Sequence, residues 1–288
     1  MGHCSVEGED HILFDMAKEA SDRPVIGVVG GIGPAAGVDC VRRILTETAA
    51  QADEEHVPVA LLSFPDRIED RTAFLEGKVD RNPGVALADV GLALEKVGAT
   101  VAGLVCNTAH AAPIFDAMQA RLEEAGSKLK VLHLIEETVR FIQESYPDAR
   151  RIGVLSTRGT RKQGIYTDAL ERAGLEALYP DDEAAEEVHE LIYDRYWGLK
   201  ARNDPPDERA VVALHEAIEA LAARDADVII MGCTELILGV PDPEVLPVPL
   251  VDPVTALARA LLRETYPERL RPLAEAPMHL PPEEGSKG

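Results

Sequence analysis

Two of the four cysteines have the surroundings of reactive groups. Cys106 sits in Leu104-Val105-Cys106-Asn107-Thr108-Ala109-His110, and Cys233 sits in Ile230-Met231-Gly232-Cys233-Thr234-Glu235. Each follows a short apolar run that reads as a buried strand, and each precedes a predicted helix. A strand that hands a thiol to a helix start places it at the carboxyl ends of the strands, where ligands bind in α/β folds. The helix start also favours thiolate, because free N–H groups and the dipole stabilise negative sulfur. One such thiol reads as a nucleophile. Two matched thiols suggest a pair working on opposite faces of one substrate.

The elements that must position these thiols occur in two copies. Ile26-Gly27-Val28 recurs 126 positions later as Ile152-Gly153-Val154, and Cys106 recurs 127 positions later as Cys233. Two landmarks at nearly one period indicate a duplicated α/β unit. In the first unit, strands are predicted at 24–30, 57–63, 100–105 and 129–133. Helices are predicted from the Gly31-Ile32-Gly33-Pro34 turn to about Ala50, at 83–97, 111–125 and 135–144. Asp66, Arg67, Asp70 and Arg71 read as part of a long polar loop. The second unit predicts strands at 151–155, 175–179 and 228–231. Its helices are expected at 160–173, 182–197 and 207–224, with a last helix at 253–266. Regular alternation of strand and helix predicts mainly parallel sheets with helices on both faces.

Composition narrows the partners. The 288 residues suffice for two domains, and 46% hydrophobic content makes the chain globular. A formal net charge of −22 argues against a phosphate backbone as partner, and 4% aromatic residues argue against base-stacking surfaces. The same charge repels a carboxylate substrate at long range, so an acidic substrate needs local cations in its pocket. No secretion signal, Cys-x-x-Cys or membrane-length apolar run is visible, which predicts a cytoplasmic protein with reduced thiols and no membrane partner.

Three motifs invite other readings. Gly31-Ile32-Gly33-Pro34-Ala35-Ala36 matches a relaxed dinucleotide fingerprint, but the second strand ends in Ser63-Phe64 without the acidic residue that fingerprint requires. The glycines still let backbone approach a ligand. Cys106 and His110 have the spacing of metal ligands, yet no second pair completes a zinc set. A Cys106–His110 nucleophilic pair competes with His110 as a packed helix start. His133, Glu136 and Glu137 read as capping of a helix.

Taken together, Gly30-Gly31-Ile32-Gly33-Pro34-Ala35-Ala36, Asp70-Arg71-Thr72, Cys106-Asn107-Thr108-Ala109-His110 and Gly232-Cys233-Thr234-Glu235 resemble the aspartate/glutamate racemase family over residues 24–266, most of all its aspartate racemase branch. The resemblance implies two pseudo-symmetric doubly wound α/β domains facing a central cleft, usually in a homodimer. It implies a first domain of 24–134 plus 250–266, because the final helix packs back on it, and a second domain of 135–249. Residues 1–23 and 267–288 are then tails. It also implies racemisation of a free amino acid with no cofactor and no metal. One of Cys106 and Cys233 removes the α-proton as thiolate, and the other returns a proton as thiol.

Further roles follow from the same resemblance. Arg71 grips a substrate carboxylate, a bidentate task suited to guanidinium. Lys200 contacts a carboxylate from the second domain, although Arg195 to Trp197 are extra residues before it. Gly31, Gly33, Asn107, Thr108 and Thr234 surround the substrate, with His110 and Glu235 in support. Glutamate racemases carry an Asp-Ser near the first turn and Cys-Thr-His at the second cysteine. Gly-Ile-Gly-Pro and Glu235 stand here instead, which favours aspartate, with glutamate as a second substrate. The competing functions are a broad-specificity amino acid racemase, a hydantoin racemase, a maleate isomerase or a malonate decarboxylase. The non-enzymatic alternative is a small-ligand-binding protein.

Overall fold

The computed structural model describes residues 23–240 and 246–273. Of the tails expected over 1–23 and 267–288, residues 1–22 and 274–288 lie outside the described residues. Each half is a four-stranded parallel sheet. The first has the order β2-β1-β3-β4, built from β1 (Val25–Gly30), β2 (Val59–Ser63), β3 (Ala99–Leu104) and β4 (Lys130–Leu132). The second repeats that order as β6-β5-β7-β8, from β5 (Arg151–Ser156), β6 (Glu176–Leu178), β7 (Val228–Gly232) and β8 (Leu250–Val251). The central strands are apolar on both faces because helices cover both, so they read as unbroken runs. In each sheet the chain reverses direction of winding between the first and third strands. That crevice is where an open α/β sheet binds its ligand, and β3 and β7 each end just before a cysteine.

Ten helices flank the sheets among the described residues: α1 (Pro34–Glu47), α2 (Arg71–Leu75), α3 (Pro83–Lys96), α4 (Ala112–Glu124), α5 (Leu134–Ser145), α6 (Arg158–Lys162), α7 (Ile165–Arg172), α8 (Asp182–Tyr193), α9 (Glu208–Ala222) and α10 (Pro253–Thr265). Side-chain oxygens cap many of them: Asp70, Asn82, Asp181 and Asp207 each accept a backbone N–H of the first turn. The core has three parts. One outer part lies under α3 and α4, and another lies under α8 and α9. The third joins the halves, bringing Ile26 and Val28 of β1, Ile152 and Val154 of β5, Tyr166, Leu257 and Leu261 into one cluster.

Several expected boundaries move, each for a local reason. The polar stretch after β2 is not a loop throughout. Asp70 caps α2, and Arg71 is buried there. The helix expected over 160–173 is two helices, α6 and α7, separated at Gly164, whose φ of 63° is left-handed. The helix expected over 182–197 stops at Tyr193, because Asp194 Oδ1 accepts the N–H groups of Tyr196 (2.8 Å) and Trp197 (3.0 Å). Leu199 and Lys200 then bond back to Leu191 and Ile192 carbonyls, returning the chain along the helix end.

Leu250–Val251 pair with β7, so these residues complete the second sheet rather than belonging with the first. The helix that follows, α10, packs on α1, α5 and β3. Asp252 caps it and also pairs with Arg43 of α1, while Arg259 pairs with Glu47. Residues 267–271, expected in the tail, run beside α1: Ala49 N–H donates to Arg269 and Arg271 N–H donates to Glu47.

Candidate active site

The turns after β3 and β7 carry the two cysteines to one small, partly open cavity. It is lined by Ile32, Arg71, Cys106, Asn107, Thr108, Thr157, Tyr193, Lys200, Cys233, Thr234 and Glu235. Among the residues expected there, Cys106, Cys233, Arg71, Lys200, Asn107, Thr108, Thr234 and Glu235 do line it. Gly31, Gly33 and His110 do not. Gly31 and Gly33 shape the turn instead, with φ of 85° and 118°, and Ile32 between them faces the cavity. A Cβ at Gly33 would stand 2.6 Å from Glu235 Oε1, so the missing side chain makes room for that carboxylate. Ile32, Thr157 and Tyr193 were not expected. Thr157 follows β5 just as Gly31 follows β1, at the period of the duplication. That correspondence is the signal that would have found it.

Neither cysteine opens an α-helix. A 3-10 turn, Thr108–His110, separates Cys106 from α4, and only the 3-10 turn Leu236–Gly239 follows Cys233. The helix dipole expected at each cysteine is therefore missing, and neighbouring side chains set the charge around the sulfurs. Beside Cys106 that side chain is Arg71. Burial works against its charge, but Cys106, Asp70 and Tyr193 around it outweigh burial and push its pKa up. Arg71 donates to the carbonyls of Glu69 (3.2 Å) and Ile32 (3.4 Å), and its Nε has no hydrogen-bond partner among the described residues.

Cys233 has the opposite setting. Its thiol donates to Glu235 Oε2 at 3.0 Å, and Thr234 Oγ1 donates to the same oxygen at 3.1 Å. Burial first, and the Glu235 charge second, push the Cys233 thiol well up. Lys200 Nζ donates to Glu235 Oε1 at 2.9 Å and lies 5.3 Å from the Tyr193 ring centre. Burial opposes ionisation of Glu235, but Lys200 and the hydrogen bonds from Cys233, Lys200 and Thr234 hold its pKa below the usual range. The cavity thus keeps one sulfur beside a cation and the other, as thiol, beside an anion.

His110 is a structural residue here. Its Nδ1 donates to the Cys106 carbonyl (2.8 Å), and its Nε2 accepts the Leu134 N–H (3.1 Å), so both ring nitrogens are used and the ring is neutral. Burial first, and His133 second, push its pKa down to about 3. Depression below the unfolded value, about 6.5, means the folded state binds fewer protons. Its contribution to stability is full above that unfolded value and is lost as pH falls from it through about 3. Histidine NMR is expected to show no titration of His110 between pH 5 and 8. A ring that charges in that interval would overturn the assignment.

Contacts between the halves flank the cavity. Thr108 Oγ1 meets Thr157 Oγ1 (3.1 Å) and Thr160 Oγ1 (2.8 Å). Tyr193 OH donates to Asp70 Oδ2 (3.1 Å), and Arg158 pairs with both Glu76 (3.0 Å) and Glu186 (2.6 Å). Gly159 has no room for a side chain, since a Cβ would lie 2.8 Å from Thr72 Oγ1.

A duplicated parallel α/β sheet with a cysteine at each equivalent turn defines a class, and residues 29–261 match its family model, Asp/Glu/Hydantoin racemase. The chain belongs to that family. It is 26% identical over 247 residues to the broad specificity amino-acid racemase RacX of Bacillus subtilis (strain 168), across 84% of this chain and 98% of that one. Its fold is similar to Picrophilus torridus aspartate racemase, with TM-score 0.68 and 24% identity over 84% of this chain and 94% of that one. An aspartate racemase homologue from Pyrococcus horikoshii OT3 gives TM-score 0.61 and 20% identity over 84% and 99%. Among the described residues no helix is long and apolar enough to cross a membrane.

Proposed function

We propose that the chain interconverts L- and D-aspartate by a two-base thiol/thiolate mechanism, with glutamate as a secondary substrate. The observation that carries this reading is the lining of one small cavity by Cys106, Cys233, Arg71 and Lys200 together. Inversion at an α-carbon needs a base on one face and an acid on the other, and the two related sheets supply one sulfur each. In this reading Cys106, which lies beside Arg71, takes the α-proton as thiolate. Cys233, already holding its proton against Glu235, delivers it to the opposite face. The carbanion electron pair takes up that proton, leaving Cys106 as thiol and Cys233 as thiolate. The opposite enantiomer runs through the reversed protonation state.

Two thiolates across one small cavity would repel, so the mechanism needs one thiolate and one thiol at a time. Arg71 holds one substrate carboxylate, and Lys200 faces the other. A second reading, broader amino acid specificity, is favoured by one observation: the Lys200 charge is already paired with Glu235. An enantiomer-resolved assay of all common amino acids, without added cofactor, tests both. Aspartate turned over far faster than neutral amino acids supports the first reading. Equal rates across neutral side chains support the second, and no racemisation of any amino acid rejects both.

A further inference from the structure

We propose that Tyr166 is a positioning residue that fixes which end of the Asn107 amide faces the substrate; the inference rests on the racemase reading above. Tyr166 lies on α7 of the second half, is fully buried and does not line the cavity. Its hydroxyl crosses between the halves and donates to Asn107 Oδ1 at 2.5 Å. Asn107 is 2% exposed and lines the cavity, and its Nδ2 has no hydrogen-bond partner among the described residues.

An asparagine amide has two ends of nearly equal shape and opposite character. With the oxygen held by Tyr166, the amide keeps its two N–H donors for the substrate. Flipped, it would set an acceptor oxygen against a substrate carboxylate. Arg71 Nε is a second buried donor without a partner on the same cavity, so two donors await one anionic group. Unmet buried donors are costly, and a bound carboxylate would satisfy both.

Only a protonated phenol can give this bond. Burial pushes the Tyr166 pKa well up, so the hydroxyl stays a donor throughout the neutral range. The ring also packs under the second cysteine turn, where a Cβ at Gly232 would come within 3.2 Å of Tyr166 Cε2. One side chain therefore supports the residue after Cys106 and the residue before Cys233. Parting of the two halves would break its bond and release the amide.

The test compares the full chain with Tyr166→Phe, Asn107→Ala and the double variant. Aspartate kinetics are read beside calorimetric binding of malonate, an achiral dicarboxylate, with thermal unfolding as a check on folding. Tyr166→Phe is expected to raise KM and the malonate Kd by about tenfold, with a smaller change in kcat. In the Asn107→Ala background the same change should add less than about twofold, since the effect passes through the amide. A merely structural tyrosine would lower thermal stability and leave KM unchanged. Unchanged KM and Kd, or a full effect without Asn107, overturns the proposal.

If the wild-type chain racemises nothing, the racemase reading fails, and malonate binding alone decides the role of Tyr166. A wild-type chain that binds no malonate overturns the role of Tyr166, and racemisation alone still decides the racemase reading. Should Tyr166→Phe fail to fold, Asn107→Asp replaces it. At pH 8 that variant keeps the Tyr166 acceptor but turns an oxygen into the cavity. It must bind malonate more weakly than Asn107→Ala, and equal or tighter binding overturns the proposal.

Discussion

Replacing either Cys106 or Cys233 with serine is expected to cut racemisation by about 10³-fold or more, the scale of one general acid or base. A serine hydroxyl keeps the size of the group but neither gives up nor takes its proton near neutral pH. The losses should be unequal in kind. Cys233 shares a hydrogen bond with Glu235, so Cys233→Ser leaves that carboxylate a donor and the site's geometry intact. Cys106→Ser removes the sulfur facing Arg71, the base of the proposed mechanism. Circular dichroism of each aspartate enantiomer measures the rates. Turnover within tenfold of wild type in both variants would remove the basis for a paired-sulfur mechanism.

Lys200→Met is expected to have the second largest effect, on both substrate choice and stability. The lost cation should raise KM for aspartate by about 10- to 100-fold, the scale of one charge-assisted hydrogen bond. A neutral amino acid such as alanine should be affected much less. The variant also strands Glu235, a carboxylate 3% exposed, against Gly33 and Cys233. Removing one partner of a fully buried pair costs about 3–5 kcal/mol; with Lys200 a quarter exposed, the loss here should be smaller than that.

The pH dependence has a definite sign. In wild type the folded Glu235 pKa lies below its unfolded value, so its contribution is complete above about 4.3 and is lost as pH falls through the folded pKa. Without Lys200, burial dominates and the folded pKa rises above the unfolded one. Stability of the variant should then fall as pH rises from 5 to 8. Urea unfolding at the two pH values measures this. A variant equally stable at both would mean that Glu235 does not depend on Lys200. Adding Glu235→Gln to Lys200→Met should restore most of the loss at pH 8.

Much of this arrangement was legible in the residues. Strands such as Val25–Gly30 and Val228–Gly232 are buried on both faces, so they stand out as apolar runs. Their recurrence at one period gave the duplication and placed both cysteines. The position of Arg71 was harder. Its neighbours Asp66, Arg67, Glu69 and Asp70 give the stretch the look of a solvated loop. Only the capping of α2 by Asp70 and the contact with the Ile32 carbonyl turn it inward. Lys200 shows the limit of spacing arguments. Residues 194–198 loop out after Tyr193, held by Asp194, so the lysine reaches the cavity from a position that helical periodicity does not predict.

Pairings through space were not legible. Glu235 binding Lys200, and Tyr166 reaching Asn107, join residues 35 and 59 positions apart. Nothing local in the sequence ties them together. They arise because two similar sheets meet around α10, and that meeting depends on buried partners such as Arg43 with Asp252 and Arg259 with Glu47.

Isotope transfer in deuterium oxide tests the paired-sulfur claim most directly. L-aspartate is incubated with the enzyme and no cofactor, and both enantiomers are separated and weighed for α-deuterium within the first few per cent of conversion. Two sulfurs on opposite faces predict D-aspartate carrying solvent deuterium, while the remaining L-aspartate keeps its original proton. D-aspartate that retains the substrate's own proton, or deuterium spread equally through both enantiomers, would show one group serving both faces and contradict the account.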